Sequence, residues 1–113
     1  MHMDDRRRHA RVFLRAYGST HECTIRCNGG ECSVGLIDIS PGGARFKHAN
    51  GRKVPDGVEG YLLGGKNFSL TYLTNVPFKV MWSSDLEFGV AFDNDLDCTV
   101  SELQQDLSSQ RAG

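Results

Sequence analysis

The amino-acid sequence predicts a mainly β fold, either an antiparallel barrel or a compact sandwich, with one short helix near the C-terminal end. Three observations support this fold class: short segments of alternating apolar and polar residues, thirteen glycines that mark turns, and a helical spacing of leucines late in the chain. The 113 residues are enough for one domain with a hydrophobic core. We therefore expect residues 1–113 to form a single domain.

The first strands are predicted from alternation and turn chemistry. Residues 12–17 are typical of an extended segment, and residues 22–27 alternate between an apolar and a polar face. Residues 28–30 are Asn-Gly-Gly, which favours a β-hairpin turn because both residue types tolerate positive φ. The second strand of this hairpin is expected at residues 31–39, and it carries Asp38 close to its end.

The later strands follow the same pattern, and the barrel is assigned to residues 12–95. Pro-Gly-Gly at residues 41–43 predicts a turn. Further strands are expected at residues 44–48, 58–63, 68–73, 76–82 and 88–92. Apolar residues then recur at helical spacing, and Thr99 with Glu102 matches a capping box, so we expect a helix at residues 96–109.

Charge is distributed unevenly along the sequence. The formal net charge is −1, but four of the thirteen lysine and arginine residues lie between Arg6 and Arg11, and without these four it is −5. An acidic body disfavours binding to duplex DNA or to an anionic membrane, whereas the compact basic segment suits a small anion. We expect residues 1–11 to be a flexible arginine-rich arm.

The sequence contains no secretory leader and no apolar run of about eighteen residues. We therefore expect a soluble, cytoplasmic protein that does not insert into a membrane. Four cysteines raise the question of a metal site, but Cys23 and Cys27 would lie about 13 Å apart between Cα atoms on one strand. This is too far for a disulfide or for one tetrahedral zinc ion, so we expect small apolar core residues and no metal.

Two motifs that would indicate enzymatic chemistry are incomplete. Residues 60–67 resemble a P-loop, but Asn67 replaces the hydroxyl residue that would bind magnesium, and the following residues alternate as in a strand. Asp38, Ser40 and His48 supply the residue types of a catalytic triad, but no G-x-S-x-G elbow surrounds the serine. We therefore expect a protein that is not an enzyme, with no catalytic residues and no cofactor.

The arginine segment and the segment around Asp38 form a compound pattern. Alone, the first is typical of a solvated arm and the second of a turn that ends a strand. Together they give R-R-x-x-x-R at Arg6, Arg7 and Arg11, followed by D-x-S-x-x-G at Asp38, Ser40 and Gly43. This pattern resembles the PilZ domain family, bacterial receptors for cyclic di-GMP, and residues 80–82 and 89–92 resemble the late strands of that family.

The resemblance implies a six-stranded antiparallel β-barrel of the split-barrel type with a short C-terminal helix. It also implies a cyclic di-GMP site that contains Arg6, Arg7, Arg11, Asp38, Ser40 and Gly43, and further candidates for ligand contacts are Arg8, Gly42, Arg45 and Trp82. Guanidinium groups stack on purines and bind phosphate or guanine O6 and N7.

The resemblance also implies roles for the other candidate residues. Asp38 is expected to accept hydrogen bonds from guanine N1 and N2, with Ser40 beside it as a second polar contact. Gly42 and Gly43 lack a Cβ, which permits an unusual turn and a close approach of the backbone to the ligand. Trp82 is expected either to stack on the ligand or to lie inside the barrel.

We expect the arm to close over the bound nucleotide and so to change a surface that binds an unidentified downstream protein. Two alternatives remain at this point. One is a PilZ-like interaction adaptor that does not bind the nucleotide. The other is a barrel that binds single-stranded nucleic acid, which would need a wider basic groove with several exposed aromatic residues. The net charge of −5 outside the arginine cluster disfavours the second.

Overall fold

The fold is mainly β. A computed structural model describes residues 10–14, 21–49 and 53–109 of the protein. Its strands are β1 (Val12–Phe13), β2 (His21–Cys27), β3 (Gly30–Ser40), β4 (Gly43–Lys47), β5 (Glu59–Gly65), β6 (Val76–Ser83) and β7 (Glu87–Phe92). The described residues also contain one α-helix, α1 (Val100–Ser109), and a 3-10 turn at Thr71–Leu73. No helix in these ranges is both long enough and apolar enough to cross a membrane.

Six of these strands form a closed antiparallel barrel. Neighbouring strands follow the order β3-β2-β5-β6-β7-β4, and β4 pairs again with β3, which closes the ring. Strand β1 also pairs with β3, beyond the part of β3 that pairs with β2. Val12 lies opposite Ile39, and Phe13 lies opposite Asp38. The predicted six-stranded barrel with a C-terminal helix is confirmed, and the sandwich alternative is wrong.

One face of each strand supplies the core. In β2, Cys23 and Ile25 are fully buried, whereas Arg26 on the opposite face is exposed, as the alternation predicts. Burial, reinforced by the nearby charge of Glu22, raises the pKa of the Cys23 thiol to about 12. This thiol therefore packs as a neutral apolar group. All four cysteines are free thiols.

The β2–β3 and β3–β4 turns have different physical explanations. In the first, Asn28 and Gly29 have φ values of 53° and 75°, as a two-residue hairpin turn with a right-handed twist requires. In the second, neither Gly42 nor Gly43 has a positive φ. The expectation that these glycines permit an unusual turn is therefore wrong. Gly43 is needed for packing, because a Cβ there would collide with the carbonyl oxygen of Val90 in β7.

Residues 68–73 are not a strand, contrary to the prediction. The amide of Leu73 donates to the carbonyl of Leu70 at 3.0 Å, which is the local bonding of a 3-10 turn. Strand β5 pairs directly with β6, so this connecting segment has no strand beside it to pair with. Its apolar residues are buried nevertheless, and alternation alone therefore could not identify their backbone conformation. The P-loop-like residues 60–67 lie in β5 and the turn after it.

Helix α1 begins at Val100, later than the predicted boundary at residue 96. The cause is a capping box: the amide of Glu102 donates to Thr99 Oγ1 at 3.1 Å, and the amide of Thr99 donates to Glu102 Oε1 at 2.8 Å. Because Thr99 occupies the capping position, the helix cannot include the residues before it. Leu96 is buried ahead of the helix in irregular backbone.

Buried leucines and a hydrogen bond attach α1 to the rest of the domain. Leu103 and Leu107 are fully buried, and the hydroxyl of Tyr72 donates to Asp106 Oδ2 at 2.7 Å. Partial burial, together with this hydrogen bond, raises the pKa of Tyr72 above its usual range. The helix lies beside β1. It therefore packs close to the strand that follows the arginine segment.

Replacing Thr99 by alanine should reduce the free energy of unfolding by about 1 kcal/mol, because the amide of Glu102 loses its capping acceptor. Urea denaturation followed by circular dichroism measures this change. Ser101→Ala is the matched control, since Ser101 lies exposed in the first turn of α1 and should change stability by less than about 0.5 kcal/mol. Equal effects of the two substitutions would contradict the capping role.

Candidate functional site

A cavity of about 700 Å³ opens where β1, the β3–β4 turn and strands β6 and β7 meet. We call it the main cavity. Its lining residues are Arg11, Phe13, Asp38, Ser40, Gly42, Gly43, Ala44, Arg45, Met81, Trp82, Gly89, Val90, Ala91 and Asp95. The last arginine of the R-R-x-x-x-R motif and all three residues of the D-x-S-x-x-G motif thus line the same space.

The main cavity accounts for most of the residues singled out in the sequence. It brings together Arg11, Asp38, Ser40, Gly42, Gly43, Arg45 and Trp82. Arg6, Arg7 and Arg8 lie outside the described residues. The first two residues of the arginine motif therefore remain a prediction from the sequence.

Asp38 is the charged centre of the cavity wall. Its side chain is only 3% exposed, and its Oδ1 accepts a hydrogen bond from Arg11 Nη1 at 2.7 Å. Its Oδ2 lies 2.9 Å from Arg45 Nε, as a close charge contact in which the N–H bond is not aligned with the oxygen. Each carboxylate oxygen therefore faces one guanidinium group. These contacts offset the desolvation of the buried carboxylate and fix both arginines at the wall.

Strand pairing explains this grouping of charges. Asp38 on β3 lies directly opposite Arg45 on β4, and paired residues of an antiparallel ladder project their side chains to the same face. On the other side of β3, Phe13 of β1 pairs with Asp38, which brings Arg11 within reach of the carboxylate. The pairing of β1 with β3 therefore creates a contact between Arg11 and Asp38, which are 27 residues apart in the sequence.

Glu87 extends the network and was not identified from the sequence. Its Oε1 lies 3.4 Å from Arg45 Nη1, and the two side chains are 31% and 35% exposed. The guanidinium of Arg45 is thus held between Asp38 and Glu87. Glu87 belongs to no motif, and only the pairing of β4 with β7 brings it to this position.

Ser40 is directed into the β3–β4 turn. Its Oγ lies 3.4 Å from the carbonyl oxygen of Gly43, which is a long and weak hydrogen bond. Ser40 is 4% exposed, so its hydroxyl is mostly covered although the residue lines the cavity. The hydroxyl of Ser40 therefore stabilises the turn between β3 and β4.

The rim of the main cavity is apolar. Phe13, Met81 and Trp82 are 54%, 59% and 43% exposed. The register shift between Val80 and Trp82 marks a β-bulge, and consequently two successive residues are exposed where regular alternation would bury one. The indole of Trp82 lies against Gly89, where there is no room for a Cβ. The alternative in which Trp82 lies inside the barrel is therefore wrong.

The described side chains give the main cavity no net positive charge. Arg11 and Arg45 are its cations, and Asp38 and Asp95 are its anions. An anionic ligand would therefore find two arginines whose charge is already balanced by carboxylates. The additional positive charge that such a ligand requires is present in the sequence at residues 6–8.

Comparison with known families agrees with the compound motif. The sequence model of the PilZ domain family matches residues 5–109. This range contains both halves of the motif, the complete barrel and α1. No individually curated protein matches the chain.

Proposed function

The chain belongs to the PilZ domain family, and we propose that it binds the bacterial second messenger cyclic di-GMP in the main cavity. This family is one of cyclic di-GMP receptors and adaptors, which supports a binding function rather than catalysis. The observation that carries the proposal is the 2.7 Å hydrogen bond between Arg11 and Asp38 at the cavity wall. This hydrogen bond joins the two halves of the motif, which the resemblance to the family assigns to a single ligand.

The chemistry of the cavity suits a flat anionic nucleotide. Cyclic di-GMP has two phosphates and two guanines, and guanidinium groups bind both phosphate and the O6/N7 edge of guanine. Arg11 and Arg45 are held at the wall in positions from which they can meet such groups. Phe13 and Trp82 offer exposed aromatic faces on which a base can stack. The volume of about 700 Å³ is in the usual range for small-ligand sites.

In this proposal, Arg6 and Arg7 supply the positive charge that the described part of the cavity lacks, with Arg8 as a further candidate. Binding of the dianion then closes the arginine segment over the barrel. Closure changes the surface around β1 and α1, which lie side by side, and an unidentified downstream protein responds to that change. The four free thiols support a reducing, cytoplasmic location for this function.

Calorimetric titration with cyclic di-GMP tests the proposal. The wild-type protein should bind, and Arg11→Gln should weaken binding by about 10- to 100-fold, because it removes a charge-assisted contact. Arg26→Gln is the matched control: Arg26 is an exposed arginine paired with Glu31 at 2.7 Å, and it does not line the main cavity. Its affinity should equal that of the wild type. Equal weakening by the two substitutions would contradict a specific site at Arg11.

The apolar rim favours a second candidate function. Exposed Phe13, Met81 and Trp82 form the kind of surface that binds a protein partner. A PilZ-like adaptor that uses this rim would not need the nucleotide. A wild-type protein that is folded but releases no heat with cyclic di-GMP would favour this second function over the first.

A further inference from the structure

A second cavity, of about 340 Å³, opens on the barrel next to the β2–β3 turn. We call it the second groove. Its lining includes Arg26, Glu59, Tyr61, Pro77 and Asp93, and none of the described residues that line it also lines the main cavity. The proposed function makes no use of this groove. It is therefore a candidate for a separate interaction.

Tyr61 is the aromatic residue at the centre of the second groove, and it is 50% exposed. Arg26 of β2 lies opposite Tyr61 of β5, and Tyr61 lies opposite Pro77 of β6, so these three side chains project to the same face of the sheet. Glu59 precedes Tyr61 by two residues on β5 and therefore shares this face. The ring of Tyr61 is thus accessible on a surface whose backbone is fixed by three paired strands.

The second groove carries unbalanced negative charge. Arg26 Nη2 lies 2.7 Å from Glu31 Oε2, so the charge of Arg26 is already balanced. Glu59 and Asp93 are exposed, and no cation among residues 10–14, 21–49 and 53–109 forms an ion pair with either carboxylate. This includes Lys79, which lies opposite Glu59 in the ladder between β5 and β6. Two carboxylates therefore remain available to a cation.

The main chain fixes the position of Asp93. Its amide donates to the carbonyl of Pro77 at 2.9 Å, and the amide of Phe92 donates to the carbonyl of Gly42 at 2.9 Å. Asp93 is therefore held next to the β6 end of the row that Tyr61 centres. A residue that is fixed before binding loses less entropy when it binds a ligand.

We infer that the second groove binds an arginine side chain from a basic segment of a partner protein. A guanidinium group can stack on the exposed ring of Tyr61 and donate charge-assisted hydrogen bonds to the carboxylates of Glu59 and Asp93. The apolar stem of the arginine can lie against Pro77. The negative charge disfavours an anionic nucleotide, and a volume of about 340 Å³ is near the lower end of the range for ligand sites, which suits one long side chain.

The probe for the test is a capped pentapeptide with one central arginine and glycine at its other positions. It is titrated into the isotope-labelled, full-length protein, and binding is followed by NMR. The amide signals of Gly60, Tyr61 and Asp93 should shift with a Kd of about 1 mM, whereas the signal of Gly43 in the main cavity should not shift. The same peptide with glutamate in place of arginine should shift none of these signals.

The combined substitution Glu59→Gln and Asp93→Asn should weaken binding of the arginine peptide by about 10-fold or more, because both charged acceptors are lost. Asp56→Asn with Asp97→Asn is the matched control. It makes the same change of charge at two exposed carboxylates that line neither cavity, and it should leave the affinity unchanged. Equal weakening by the two double substitutions would mean that net charge alone attracts the peptide, and the inference would fail.

Three other results would overturn the inference. The first is an arginine peptide that shifts no signal at the second groove. The second is a peptide that binds only after Arg6, Arg7 and Arg8 are replaced by glutamine, since the chain's own arginine segment would then fill the groove. The third is a dimer, detected by sedimentation, that Glu59→Gln with Asp93→Asn dissociates, since the occupant would then be a second copy of the chain. None of these results bears on cyclic di-GMP binding in the main cavity, which calorimetry tests separately.

Discussion

Replacing Asp38 by asparagine should weaken cyclic di-GMP binding by about 100-fold and reduce the free energy of unfolding by about 1–3 kcal/mol. The substitution leaves the guanidinium groups of Arg11 and Arg45 next to a neutral amide, so they repel each other and lose their fixed positions. A fully buried ion pair would give a larger loss of stability. Here the two arginines are 39% and 35% exposed, and solvent screens part of the effect.

Titration calorimetry and urea denaturation measure the two effects of Asp38→Asn separately. Glu31→Gln is the matched control, because Glu31 also pairs with an arginine at 2.7 Å but is 51% exposed. It should change neither ligand affinity nor stability by more than about 0.5 kcal/mol. An Asp38→Asn variant with the affinity and stability of the wild type would show that the carboxylate does not hold the arginines.

Gly43→Ala should reduce the free energy of unfolding by about 3 kcal/mol. The new Cβ would collide with the carbonyl oxygen of Val90, which belongs to the backbone of β7 and cannot rotate away. Relief requires β4 and β7 to separate at the point where Gly43 pairs with Ala91. Thermal or urea denaturation measures the loss.

The neighbouring glycine provides the control for Gly43→Ala. A Cβ on Gly42 would lie 3.5 Å from Asp95 Oδ1, an ordinary contact, so Gly42→Ala should change stability by less than about 0.5 kcal/mol. Equal destabilisation by both substitutions would mean that the backbone conformation of the β3–β4 turn requires glycine at both positions. The close approach of β7 would then not be the reason for Gly43. A stable Gly43→Ala variant would show that the β4–β7 pair can move apart without loss.

Much of the barrel could be predicted from local sequence. Alternation identifies which side of a strand is buried, as in β2, and Asn28 with Gly29 identifies the hairpin turn through backbone conformation alone. The capping box at Thr99 is also local, and it marks the start of α1 at Val100, although the predicted boundary was residue 96. The prediction of a strand at residues 68–73 was wrong because alternation reports burial. Burial depends on the neighbours of a segment, whereas a strand also needs a partner for its backbone groups.

The candidate site was only partly predictable. Motif spacing identified Asp38, but its contact with Arg45 depends on which residues become neighbours across β3 and β4, and Glu87 enters the network only through a third strand. Asp95 follows the last strand in a segment with no motif. Its place is determined by two hydrogen bonds, from the amides of Phe92 and Leu96 to carbonyl groups of the β3–β4 turn. The exposure of Trp82 depends on a β-bulge, which shifts the register and which alternation does not predict.

The position of Trp82 makes the protein its own optical reporter. It is the only tryptophan in the sequence, so emission excited at long wavelength comes from a single indole. That indole lies on Gly89 at the rim of the main cavity and is 43% exposed to water. A molecule that occupies the cavity replaces water around the fluorophore, whereas one that binds to a distant face does not. Fluorescence can therefore distinguish occupancy of this cavity from binding elsewhere without any added label.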